Sequence, residues 1–328
     1  MKRICIFLIL LLIQTVTASG LRCSECDRKI SGKYISSSQG KNYCSRKCFK
    51  KSLPECAKCG KVCEKGSVTL MGKFFCSRKC AGSFFRCSSC GNGMTQITTY
   101  TTSTSEKLFI CPNCKNRTPC YYCAIPGASV NLNDKRKICR KCRSSAVTDP
   151  EEVKLIFKTI RYNLAKWYGF DRKHDIELHI VGLPELEKNS ASLYRPEGGR
   201  QLALMSYKAK IKQKLNRKGE VRKQRVVDDE CHIFVLHTVP RKQLIDALAH
   251  ELTHDHLRHN VGKVKELADE EGFSELVASL YNTKIGNSRM NNAKEANPDK
   301  IYGDGFRKMR QLYLKNGKSL KKTMEYLK

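Results

Sequence analysis

The chain reads as a multidomain protein: a string of small zinc-stabilised modules followed by one larger α+β domain. Three observations predict this. Sixteen of its nineteen cysteines fall into eight close pairs before residue 143. Beyond that point cysteine nearly disappears, and apolar residues recur at helix and strand spacing. In that second half stands HELTH, residues 250–254, whose two histidines lie one helical turn apart on one face.

At 328 residues there is room for two or three domains, and 40% apolar content allows a real core. The formal net charge of +31 points to an anionic partner: nucleic acid, an acidic surface or an acidic protein. That figure shrinks on inspection. Lys2 and Arg3 would leave with an N-terminal leader. Each divalent ion held by four thiolates carries a net −2, so four such sites remove about eight charges. The remaining bases are scattered, so nucleic acid is admitted as a partner but not favoured.

The first element is a leader, residues 1–18. Lys2 and Arg3 form its charged start, Ile4 to Ile13 is an unbroken apolar run, and Val16-Thr17-Ala18 offers small residues before a cut. The run is too short to cross a bilayer comfortably; an interfacial anchor or a short membrane span is the rival reading. A leader implies export, to a secreted, periplasmic or lumenal location, with no transmembrane span in the mature chain. GLRC at 20–23 is a poor site for a lipid anchor.

The cysteine pairs follow: Cys23/Cys26, Cys44/Cys48, Cys56/Cys59, Cys76/Cys80, Cys87/Cys90, Cys111/Cys114, Cys120/Cys123 and Cys139/Cys142. Gaps between pairs alternate between 15–20 residues and 5–7. A C-x-x-C knuckle presents two sulfurs to one metal, and a second pair completes a tetrahedron. Sequential pairing therefore gives four structural zinc sites, in a first tandem module over 19–83 and a second over 84–143. YCSRKC (43–48) and FCSRKC (75–80) repeat nearly the same phrase, as treble-clef units do when the second pair opens a short helix. Cross-braced pairing is an alternative. A disulfide framework is another, since a leader implies an oxidising compartment. Cys63 and Cys231 are left over, Cys231 reading as a small hydrophobe at the start of a buried strand.

RSSAVTDP (143–150) reads as linker and helix start, with Asp149 as cap, Pro150 in the first turn and Glu152 completing a capping box. Val153, Ile156, Phe157, Ile160, Leu164 and Trp167 mark the buried face of the helix. DIELHIVGL (175–183) reads as a strand. A basic hairpin follows: 200–215 with Lys208, Lys210, Lys212 and Lys214 on one side, a turn at 216–219, and a return over 220–227. CHIFVLHTV (231–239) is a last strand before the HELTH helix. The helix is supported by a stripe of Leu244, Ile245, Leu248, Ala249 and Leu252.

His250 and His254 can grip one metal ion, and Glu251 can reach a water on it. The third ligand sets the class. A metzincin needs Gly and His where Leu257 and Asn260 stand, so that class is excluded. His256 and His259 are out of phase with the pair and read as solvated. The segment 269–281 reads as a second helix, buried through Phe273, Leu276, Val277 and Leu280. Glu271 on it would close a two-His, one-Glu zinc site of the thermolysin type, leaving a fourth position open. Glu275, one turn on, could accept the far N–H of a histidine ligand. In such zincin-type domains a sheet edge above the helix can hold an extended peptide.

Two resemblances follow. The tandem four-cysteine sites resemble LIM modules, which bind proteins, though here every ligand is cysteine and the gaps are wider. HELTHDHLR, EEGF at 270–273 and YGDGFR at 302–307, in that order, resemble the peptidase domain of the DA-one family of plant growth regulators. The resemblance covers about residues 150–328, and the cysteine array only in kind. It implies a gluzincin-type zinc metallopeptidase with one catalytic zinc on His250, His254 and Glu271 and with Glu251 as catalyst. It also nominates Tyr302, the phenol of YGDGFR, to steady the oxyanion. Partners would be a protein or peptide substrate, and a protein held by the zinc modules. The chain lacks the acidic ubiquitin-interacting helices of the plant members. Two other functions compete: a zinc-finger adaptor with an inactive peptidase-like domain, and a DNA-dependent protease of the SprT sort.

Overall fold

The computed structural model describes residues 12–14, 20–64, 66–101, 107–170, 175–190, 194, 200–215 and 221–328, with the backbone alone at 12–14, 101, 209–215 and 221–229. Most of the expected leader, and the turn at 216–219, lie outside the described residues. Leu12–Gln14 is described, as a strand antiparallel to Tyr34–Ser36. No described helix is long and apolar enough to cross a membrane. The chain divides into two compact units, Met1–Tyr100 with Leu108–Lys115, and Thr101–Lys107 with Asn116–Lys328. The four cysteine modules thus divide three and one, not two and two.

The first unit holds three modules built on one turn. The residue after each knuckle is left-handed: Asp27 at φ 57°, Gly60 at 73° and Gly91 at 75°. That conformation lets its N–H reach back to the first cysteine carbonyl, at 2.9, 2.9 and 2.8 Å respectively. The second pair then opens a helix in the first two modules, Arg46–Lys51 and Arg78–Phe84. The repeated serine explains why. Ser45 and Ser77 are N-caps whose hydroxyls accept from Cys48 N and Cys80 N, each at 3.2 Å.

The second unit begins with the fourth module, where Ala124 takes the same left-handed turn at φ 57°. Helix α1 (Pro150–Tyr168) follows, capped by Asp149, which accepts from Glu151 N at 3.0 Å. Glu152 pairs with Arg241 rather than completing a capping box. The expected linker is itself structured: Ala146–Val147 pairs antiparallel with Val239–Pro240.

A three-stranded sheet comes next, from β1 (Ile176–Val181), β2 (Ala203–Leu215) and β3 (Val221–Leu236), with α2 (Leu183–Asn189) between β1 and β2. β3 is central, parallel to β1 and antiparallel to β2. The hairpin return and the strand expected at 231–239 are therefore one long strand, and Cys231 is buried within it. Helix α3 (Arg241–Asn260) carries HELTH and packs against α1, β2 and α4 (Leu267–Lys284). Its expected stripe is core: Leu244, Leu248, Ala249 and Leu252 are buried. His256 is a correction. It is buried, stacked on Phe170 at 3.9 Å between ring centroids, because the loop after α1 folds under that face of α3.

The chain closes with α5 (Arg289–Glu295), a π turn (Lys300–Asp304), α6 (Gly305–Lys315) and α7 (Leu320–Glu325). α4 and α6 cross backbone to backbone. A Cβ on Gly272 would meet the carbonyl carbon of Gly305 at 2.3 Å, and one on Gly305 would meet Ala268 O at 2.2 Å. Only glycine fits either position, which explains the glycines of EEGF and YGDGFR.

Candidate metal centre

The cysteine pairs gather as sequential pairing predicts. Four groups have all sulfurs within 4.8 Å of one another: Cys23, Cys26, Cys44, Cys48; Cys56, Cys59, Cys76, Cys80; Cys87, Cys90, Cys111, Cys114; and Cys120, Cys123, Cys139, Cys142. Near sulfurs sit 3.6 Å apart at Cys44–Cys48 and Cys59–Cys76, and 3.8 Å apart at Cys123–Cys139. A disulfide needs about 2.05 Å. Sulfurs at zinc bonding distance span a tetrahedron of edge about 3.8 Å. Each group could hold a metal ion, and none of its pairs is a disulfide.

The three facing groups of the HELTH site come from two helices. α3 places His250 and His254 one turn apart, and α4 brings Glu271 to them. His250 Nε2 lies 3.1 Å from Glu271 Oε2 and 3.1 Å from His254 Nε2, and His254 Nε2 is 3.5 Å from Glu271 Oε2. The far nitrogens fix the tautomers. His254 Nδ1 faces Glu270 Oε1 at 3.1 Å. His250 Nδ1 faces Glu275 Oε1 at 3.4 Å and is otherwise buried without a partner. A proton on each Nδ1 leaves two Nε2 lone pairs and a carboxylate oxygen facing one another, an arrangement that asks for a cation. The edges match the roughly 3.4 Å expected for such atoms around zinc.

Glu275 is held in turn. Lys294, buried on α5, bonds both Glu275 and Asp246, the latter at 2.9 Å. Burial opposes ionising Glu275, yet Lys294 and His250 hold its carboxyl down to about 2. Burial likewise opposes ionising Glu271, but His254 and His250 keep its carboxyl well below the usual range. Burial resists charge on His254, while Glu271 and Glu270 push it up to about 9. The carboxylates thus already favour positive charge at the point where a dication would sit.

Glu251 turns away from the triangle. Its Oε2 accepts from Met205 N on β2 at 2.7 Å, and burial pushes its carboxyl up. That bond shows which way the strand faces. Residues alternate along β2, so the N–H and C=O of Ala203 and Met205 turn away from β3 toward the free edge. A cleft of about 290 Å³ runs beside that edge, lined in part by Ala203, Asp246, His250, Glu251, Glu275 and Tyr302. Tyr302 is brought to the site by the π turn, where Asp299 Oδ1 accepts its N–H at 2.8 Å. Its ring centroid is 6.3 Å from that of His250, and burial with Glu271 and Glu251 nearby raises its hydroxyl pKa.

Of the residues expected around HELTH, His250, Glu251, Glu275 and Tyr302 line that cleft, and His254 and Glu271 each lie 3.1 Å from His250. Sequence reasoning missed Glu270, Asp246 and Lys294. Asp246 stands four residues before His250 on the same face of α3 and was legible; Lys294 is distant in sequence and gave no signal. Comparison with protein-family models, with curated proteins and with solved structures gave no match.

Proposed function

We propose that the second unit is a zinc metallopeptidase of the gluzincin type, as the resemblance to the DA-one family implies. The observation that carries this is the convergence of His250, His254 and Glu271 beside a half-buried glutamate at an open strand edge. A zinc ion held by those three residues supplies Lewis acidity toward a scissile carbonyl and toward water. The chain's own groups do the rest. An extended substrate pairs with the free edge of β2, its backbone bonding Ala203. Glu251, oriented through Met205 N, takes a proton on its remaining oxygen and later gives it to the leaving amine. Its raised pKa suits both roles. Tyr302 donates its phenolic proton in a hydrogen bond to the developing oxyanion. Zinc in the four cysteine groups is structural, and the modules offer surface for a protein partner. Export through the secretory pathway belongs to the same reading.

Glu251→Gln tests it. Glutamine keeps the acceptor for Met205 N, so zinc content and melting temperature stay unchanged. Cleavage of a mixed peptide library falls at least about a hundredfold. Zinc-loaded wild type that cleaves no peptide or partner would favour the adaptor reading, and stimulation by DNA would favour the DNA-dependent one.

A further inference from the structure

A second triangle of the same chemistry lies on the sheet. Glu177 and His179 are two apart on β1, so both side chains leave the same face. Glu177 is the register partner of His232 on β3. Their side chains meet: Glu177 Oε2 to His232 Nδ1 is 3.2 Å, His179 Nε2 to His232 Nδ1 is 3.0 Å, and His179 Nε2 to Glu177 Oε2 is 3.5 Å. The donor set is that of the HELTH site, two imidazole nitrogens and one carboxylate oxygen. The dimensions are also the same, against 3.1, 3.1 and 3.5 Å there.

A proton on His232 Nδ1 can be shared between Glu177 Oε2 and His179 Nε2. A cation serves all three atoms at once and needs no shared proton. Two further features fit. His232 has a side chain only 9% exposed, and its Nε2 is buried with no hydrogen-bond partner. A metal on Nδ1 places the proton on Nε2, which faces Glu230 Oε2 at 3.6 Å, a carboxylate favourably placed for that N–H. His179 is held by stacking on Phe234, ring centroids 4.7 Å apart.

Alternation along β3 separates this face from the HELTH side. Ile233 and Val235, fully buried, point one way, and His232 and Phe234 the other. We propose that Glu177, His179 and His232 form a further metal site, for a divalent transition cation such as zinc. Imidazole with carboxylate suits zinc or copper better than calcium or magnesium, which prefer all-oxygen shells. Glu177 is exposed, so the ion exchanges with solvent, and when bound it ties edge strand β1 to β3.

The test counts zinc in the full chain at saturating zinc, by equilibrium dialysis and elemental analysis. His179→Ala and Glu177→Gln alter partly exposed side chains, and near-ultraviolet circular dichroism confirms their fold. Each variant is expected to hold one zinc fewer than wild type. The count is repeated in a Glu271→Ala background, so loss of the HELTH ion is read separately. Anomalous diffraction at the zinc edge should place a peak among the three side chains. Equal zinc counts in wild type and His179→Ala, or no peak there in a zinc-soaked crystal, overturns the proposal.

Discussion

Gly272→Ala tests whether the crossing of α4 and α6 sets the third ligand. The added Cβ would lie 2.3 Å from both the carbonyl carbon and the oxygen of Gly305. Carbon atoms settle at about 3.5–4.0 Å, so the two helices must part by about 1 Å. Both opposing atoms are backbone, and no rotamer change relieves them. Phe273, Phe306 and Met309, all at most 1% exposed, lock the helices into the core, so parting them opens that packing. Overpacking costs about 1–3 kcal/mol, and backbone on both sides puts this case near 3. In a domain of this size that lowers the melting temperature by about 6–12 °C. Glu271 is the preceding residue, and a metal site tolerates ligand displacements of only about 0.2 Å. Zinc-replete protein is therefore expected to melt earlier and to lose one zinc on dialysis, read by calorimetry and elemental analysis. A variant that melts with wild type and keeps all its zinc would refute the link between the glycine crossing and the ligand.

Glu271→Ala should lose the HELTH zinc outright, whereas Glu275→Ala and Glu270→Ala should keep it with about ten- to a hundredfold weaker affinity; equal affinities in all three, measured by competition with a chelator, would mean another ligand set. Lys294→Met leaves the largely buried Asp246 and Glu275 carboxylates without their cation and should cost about 3 kcal/mol in denaturant unfolding. A loss below about 1 kcal/mol would show that solvent reaches those carboxylates. Gly60→Val has open space around its Cβ, so any loss is backbone strain at φ 73°. About 1–2 kcal/mol is expected, with weaker zinc retention in the second module; no change would mean the knuckle turn relaxes.

The HELTH helix, the two-helix source of the ligands and the four cysteine groups were legible because each rests on local spacing. Four residues on a helix set the His250–His254 distance, and a knuckle sets Cys56–Cys59. What local spacing cannot show is which face a distant element covers. His256 was read as solvated because it is out of phase with the metal pair, but Phe170 covers it from another helix's end. Glu275 was placed as a histidine partner, while Lys294 behind it comes from the short helix α5, whose sequence shows no apolar periodicity. EEGF and YGDGFR stood out as motifs, yet their glycines meet each other only in three dimensions. Glu177, His179 and His232 were invisible as a set, because a parallel pairing joins strands some fifty residues apart.

The fourth cysteine module is tied to the start of β2 and to α3. Arg136, 2% exposed, donates to Asp134 at 2.7 Å and to His237 O at 2.9 Å, and Asp134 accepts from Leu183 N at 3.0 Å. One buried ion pair thereby ties the module to both ends of the sheet's connections. Arg200 donates to Cys120 O at 3.0 Å, and Gln243 on α3 donates to Tyr122 O at 3.0 Å. Arg200 leads directly into β2, and Gln243 precedes His250 by two turns of the same helix. The knuckle carbonyl that Arg200 bonds keeps its place only while the Cys120 turn is closed. The closure of the fourth cysteine group and the position of the free edge are then parts of one mechanical unit. The other three groups lie in the first unit, and the fourth belongs to the unit that holds the cleft.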